Sequence, residues 1–198
     1  MPKPRTIGES LYWSYANLAM MEGVLTDGAG RLGRRHYAIR SRLYSGLCND
    51  TMSVRGFFDD EKMKLRLPKA CWYCGSPENL SADHIVPQAQ RGKDGGENLV
   101  YACRSCNSSK GSKDMLIWMA SKGRFPPLYL LRRYLKMAIE YCREHNLMDV
   151  PLAEVARLGH ELPFALDHIP HRYPPARLLC KWVGGTEQKA CDKEGTGE

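Results

Sequence analysis

Four cysteines fall into two Cys-x-x-Cys pairs, Cys71/Cys74 and Cys103/Cys106, with 28 residues between the pairs. Two thiolates separated by two residues reach one ion from a tight turn, and two such knuckles close a four-sulfur tetrahedral site around Zn²⁺. A closed site leaves no position for water, so the expected ion is structural. The segment it would staple, about residues 69 to 113, is short, polar and turn-rich. So small a piece buries too little apolar surface to fold alone, and a metal makes up the deficit. A redox couple would call for a pair that opens a helix after a strand, and neither pair reads that way. An iron–sulfur cluster is the other chemistry open to four thiolates. Cys48, Cys142, Cys180 and Cys191 are scattered and read as bystander thiols.

Between the knuckles, Ser81-Ala82-Asp83-His84-Ile85-Val86-Pro87 leads into a glycine-rich turn, Arg91-Gly92-Lys93-Asp94-Gly95-Gly96, and then Glu97-Asn98-Leu99-Val100-Tyr101-Ala102. The alternation around His84 and over Leu99–Tyr101 predicts two antiparallel strands joined by that loop, and a helix starts after Cys103. Taken in order, Cys-x-x-Cys, Asp-His-Ile-x-Pro, Gly-Gly-x-Asn-Leu and Cys-x-x-Cys-Asn-x-x-Lys resemble the HNH nucleases. The likeness runs from Cys71 to Lys110, about a fifth of the chain. It implies the ββα-metal fold in its zinc-stapled form.

Carried over position by position, the resemblance makes His84 the general base that activates water. It makes Asp83 and Asn107 the holders of one catalytic divalent ion, and Asn98 the residue that braces the loop and orients His84. The chemistry agrees with these roles. Phosphodiester hydrolysis needs a base that titrates near neutral pH, which imidazole supplies, and a cation to neutralise the phosphate. A carboxylate and an amide are hard oxygen ligands suited to Mg²⁺ or Mn²⁺. Adjacent strand residues point to opposite faces, so Asp83 and His84 can share a site only where the strand ends or twists. The family's last letter is usually His, and here it is Asn107. An active His-Asn-Asn variant is expected, and a decayed site kept for binding is the alternative.

The net charge is +7, and it is uneven: +5 over residues 1–70, +1 over 71–123, +3 over 124–183 and −2 over 184–198. A basic balance favours polyanionic partners, DNA among them. Lys110, one helical turn past Asn107, and Arg91, Lys93 and Arg104 are the candidate phosphate contacts. Arg31, Arg34, Arg35, Arg40 and Arg42 form the densest basic run, with Arg31, Arg35 and Arg42 on one helical face if the whole run is helical. Double-stranded DNA is the substrate that the resemblance implies. A second Asp-His-Ile run, Asp167-His168-Ile169, lacks a following Asn and knuckle and reads as a loop.

The expected fold is α+β and mainly helical: a small ββα-metal module with structural zinc, flanked by N- and C-terminal helices. The division is 1–68, 69–123, 124–183 and a disordered tail, 184–198. Helices are predicted over Glu9–Val24, Arg34–Leu47, about Arg55–Lys64 and from Asp114 as N-cap to Gly123. The longest is predicted from Leu128 to about His145, and a short one over Pro151–Gly159. The stripe on 128–142 is wide enough to touch two sides, either within the chain or on a second protein. The stretch Leu11–Leu25 carries Asn17 and Glu22 and falls short of a membrane span, and no apolar signal region follows the N-terminus. A cytoplasmic protein is therefore expected. Two other functions remain open: a non-catalytic zinc module that binds DNA, and a subunit of antiphage defence whose cutting is controlled by an ATPase or sensor partner. Cutting both strands would favour a homodimer.

Overall fold

In a computed structural model, residues 3–158 and 162–184 are described. The expected disordered tail lies outside them, apart from Gly184. Three helices come first, α1 (Ile7–Asp27), α2 (Arg34–Cys48) and α3 (Phe58–Arg66). A two-stranded hairpin follows, β1 (Leu80–His84) and β2 (Leu99–Cys103), and then α4 (Arg104–Lys110), α5 (Met115–Ser121), α6 (Leu128–Glu144) and α7 (Val155–Leu158). The fold is mainly helical α+β, as expected.

The longest helix is α1, at 21 residues, and not α6, at 17. Thr6 caps α1 by accepting the Glu9 N–H at 3.2 Å, and Gly28, with φ 64°, ends it. Apolar spacing alone underestimates α1 because polar Ser10, Ser14 and Asn17 are also buried. Ser10 bonds the His171 ring, Ser14 the Tyr173 hydroxyl and Asn17 the Trp13 carbonyl, so their burial leaves nothing unpaired.

Helix α6 packs against α1 on one side and the hairpin loop on the other. Leu128, Leu130, Leu131, Tyr134, Leu135, Met137, Ala138, Ile139 and Cys142 are all buried within this chain, so its wide stripe is core and presents no face to a second protein. One hydrophobic cluster joins Ile7 and Leu11 of α1, Trp72 and Tyr73 of the first knuckle, Val100 of β2 and Leu131 and Leu135 of α6. Module and flanks share that core. Among the described residues, no helix is long and apolar enough to cross a membrane.

The basic run is not one helical face. Arg31 precedes α2, Arg35 pairs with Asp27, and Arg40 is buried over the Trp13 ring at 4.7 Å. Arg34 and Arg42 stay exposed on α2.

Candidate active site

The hairpin is antiparallel, with Leu80 opposite Cys103 at its open end and His84 opposite Leu99 at its loop end. The Trp72 N–H donates to the Tyr101 carbonyl at 2.8 Å and ties the first knuckle to β2. The second knuckle opens α4, with the Cys103 sulfur accepting the Cys106 N–H at 3.5 Å. Contrary to the expectation that neither pair opens a helix after a strand, Cys103 stands at a strand-to-helix junction. Redox pairing still does not describe the site, because the four sulfurs form one group.

All four sulfurs lie within 4.8 Å of one another, and Cys74 Sγ stands 3.6 Å from Cys103 Sγ. A tetrahedral zinc with Zn–S of about 2.3 Å spaces its sulfurs about 3.8 Å apart, so the cluster fits the ion. Burial, with Cys71 close by, pushes the Cys74 thiol up to about 11 and Cys106 higher still. Cys103 goes the other way: burial opposes the shift, but the Cys106 N–H and the neighbouring thiols hold it below its usual value. Four sulfurs this close are a ligand set for one metal ion, whose charge would favour their thiolate forms.

At the loop end, Asp83 is buried and fully engaged. The Tyr73 hydroxyl donates to its Oδ2 at 2.6 Å, and the Lys110 ammonium lies 3.3 Å from Oδ1 and 3.2 Å from Oδ2. Burial, with the Asp83 carboxylate beside it, pushes the Tyr73 hydroxyl well above its usual range. Lys110 also donates to the His84 carbonyl at 2.6 Å, which fixes α4 across the end of β1. Far from lying open to a phosphate, Lys110 is only 1% exposed. Asn107, one turn earlier on α4, donates from Nδ2 to the Ser81 hydroxyl at 3.0 Å. Ser81 and Asp83 alternate on one strand face, so Asn107 and Lys110 cover that face together.

Strand β1 ends at His84, where the shared-site geometry required an ending. The His84 ring meets Asp94, with Nε2 2.9 Å from Oδ1. Asn98, 1% exposed, spends its amide on the loop backbone. Its Oδ1 accepts the Val86 N–H at 2.8 Å, and its Nδ2 donates to the carbonyls of Val86 at 2.9 Å and Lys93 at 2.8 Å. Of the other expected phosphate contacts, Arg91, Lys93 and Arg104 are exposed, and Lys93 forms an ion pair with Glu144 at 3.1 Å. His168 pairs with Asp167 at 3.0 Å, and among the described residues only the four cysteines gather three or more metal-ligating groups.

Asp94, Tyr73, Glu61, Lys64 and Arg133 are the residues that the sequence reading missed. Asp94 had a signal, as the lone acid between Ile85 and Gly96, but the others reach the loop from other elements. Lys64 of α3 donates to the carbonyls of Gly96 at 3.0 Å and Leu99 at 2.7 Å. Burial, with Arg133 nearby, holds the Lys64 ammonium below its usual value. Arg133 of α6 donates to the carbonyls of Glu97 and Gly96 and to Glu61.

The family model for HNH endonuclease matches residues 71–113, the span of both knuckles, the hairpin and α4. These residues are an HNH endonuclease domain. Part of the chain is also similar to two relatives, both named CRISPR-associated endonuclease Cas9. The one from Corynebacterium diphtheriae is 50% identical over 52 residues, 24% of this chain and 5% of the relative. The one from Actinomyces naeslundii is 40% identical over 58 residues, 27% of this chain and 5% of the relative. The chain thus spans about one-twentieth of the length of these relatives. No solved structure gives a significant match.

The expected ligands of a hard divalent cation, Asp83 and Asn107, both lie beside α4 and are already bonded to protein groups. Asp83 offers a carboxylate, and with Nδ2 of Asn107 turned to Ser81, its Oδ1 is the atom left for a cation. The Lys110 ammonium already satisfies the carboxylate, so an ion entering there competes with it.

Proposed function

We propose that this chain is a metal-dependent nuclease that hydrolyses phosphodiester bonds of DNA, with His84 as general base. The observation that carries this reading is the junction at the end of β1. Within residues 71–113, His84 carries an imidazole paired with Asp94, the adjacent Asp83 is a buried carboxylate held by Lys110, and Asn107 lies one turn before Lys110 on α4, which supports the reading. His84 takes a proton from water, the water oxygen attacks phosphorus, and the P–O3′ bond breaks, the departing oxygen taking a proton from solvent to leave a 3′-hydroxyl and a 5′-phosphate. Asp83 and Asn107 would hold Mg²⁺ or Mn²⁺, which would supply positive charge to stabilise the phosphate during hydrolysis. Asn98 keeps the loop in shape, and exposed Arg91, Lys93 and Arg104 meet backbone phosphates on a duplex. Zinc on the four cysteines keeps the hairpin against α4. DNA processing or antiphage defence is the setting we assign, because both relatives are named CRISPR-associated endonucleases.

A plasmid-nicking assay with Mg²⁺ or Mn²⁺ tests this reading. Wild type is expected to nick, and His84→Ala to lose about 10²- to 10⁴-fold, the usual worth of a general base. Asp83→Ala and Asn107→Ala are expected to lose less. Cutting by His84→Ala at the wild-type rate would refute the assignment of the base.

The buried Lys110–Asp83 pair favours a second reading, a domain that binds DNA and stays inert until a partner rearranges α4. Tight DNA binding without hydrolysis under either ion is the outcome expected of it, with cutting restored by a partner such as an ATPase or sensor subunit.

A further inference from the structure

Asp94 lies in the glycine-rich turn, yet both of its neighbours are pinned by one residue. Asn98 donates from Nδ2 to the carbonyl of Lys93 at 2.8 Å and from its backbone N–H to the carbonyl of Gly95 at 2.9 Å. The chain on either side is built as tightly. Arg91 takes a left-handed conformation, φ 65°, and the Gly92 N–H donates to Pro87 at 3.0 Å. A Cβ on Gly92 would stand 2.0 Å from the Val86 carbonyl oxygen, so the turn admits only glycine there. Beyond it, Lys64 and Arg133 hold the Gly96 carbonyl from two helices. All of this places an otherwise solvent-facing carboxylate, 71% exposed, on the ring of His84.

We propose that Asp94 is the positioning residue of His84, and that Asn98 acts on the base through Asp94. An ionised carboxylate only accepts, so its contact requires the proton of the neutral ring to sit on Nε2. Nδ1 is then the nitrogen with the lone pair, and the ring is held at one angle toward the water. Asp94 touches neither water nor phosphate in this scheme. The proposal rests on the reading of His84 as general base, but its structural half, the tautomer, does not.

The experiment therefore has two readouts on the 198-residue, zinc-loaded chain. Long-range ¹H–¹⁵N spectra of the His84 ring in its neutral form, without DNA, report the tautomer. Plasmid nicking with Mg²⁺ reports turnover and apparent KM. Wild type is expected to show the Nε2–H form alone. Asp94→Ala is expected to mix the two tautomers and to lower turnover about 10- to 100-fold, part of a general base's worth, with KM unchanged. Asp94→Asn keeps an accepting oxygen and is expected to recover the tautomer and some of the rate. Asp94 is exposed, so an unchanged thermal midpoint in both variants separates positioning from folding.

An unchanged tautomer in Asp94→Ala would overturn the proposal, as would full turnover in that variant. Wild type that never cuts would instead sink the nuclease reading, while the spectra would still decide whether Asp94 sets the ring.

Discussion

The Nε of Arg133 donates to the carbonyl of Glu97 at 3.0 Å, joining the middle of α6 to the turn immediately before Asn98. The same side chain is fully buried and also meets Glu61 at 2.5 Å. Removing it takes the donor from the Glu97 carbonyl, while Lys64 still reaches Glu61 and the Gly96 carbonyl. Arg133→Met is expected to cost about 1–3 kcal/mol, the usual penalty for leaving a buried acceptor unpaired. Urea denaturation measures this. Arg133→Lys is expected to recover little, because one ammonium cannot reproduce the planar fork.

Zinc removal should undo the open end of the hairpin first. A chelator, or Cys106→Ser, is expected to abolish amide protection across residues 71–106, since the metal supplies folding energy that this short segment lacks. Hydrogen exchange of the full chain, with one bound zinc per chain counted beforehand, is the measurement. Full protection after the metal has gone would contradict the staple.

Gly92→Ala tests the turn from its tightest point. Its added methyl meets the Val86 carbonyl, backbone that cannot swing aside. A loss of about 1–3 kcal/mol is expected from overpacking, and nicking should fall further than stability because Asn98 loses its register on Val86. Calorimetry and the plasmid assay, run side by side, check the pair of effects.

Acid should loosen the α1–α2 corner. The His36 hydrogen bond, with Arg35 beside it, holds the Asp27 carboxyl below its usual range. The Gly33 N–H donates to His36 Nδ1, so it is the protonated Nε2 that meets Asp27 at 2.6 Å. A depressed carboxyl contributes its stability above the unfolded value, about 3.9, and loses it as pH falls through the folded one. Asp27→Asn is therefore expected to melt below wild type at pH 7, with the gap closing toward pH 3. Thermal melts of both proteins across that range decide it.

Much of the HNH domain was legible in the sequence because its constraints are local. Cys-x-x-Cys fixes a knuckle within four residues, and the alternation through Asp83–His84 and Leu99–Tyr101 fixes a hairpin. What could not be read were partners drawn from distant elements. Arg133 lies in a run that reads as an apolar helix with exposed cations, yet its head is buried because the Gly96 and Glu97 carbonyls lack strand partners. Lys110 carries the motif's charge to the surface on paper, whereas the folded chain turns it inward onto Asp83. Polar Ser10, Ser14 and Asn17 hid the length of α1 because segment 171–173 meets them from the far end of the chain.

The hairpin is fastened at its two ends by unrelated means, sulfur at Cys103 and helix-borne cations at Gly96 to Leu99. A transplant of residues 71–113 into another scaffold would carry the first fastening and leave the second behind. Such a graft would keep its four sulfurs and still present a slack turn, unless the recipient supplied cations where Lys64 and Arg133 now stand.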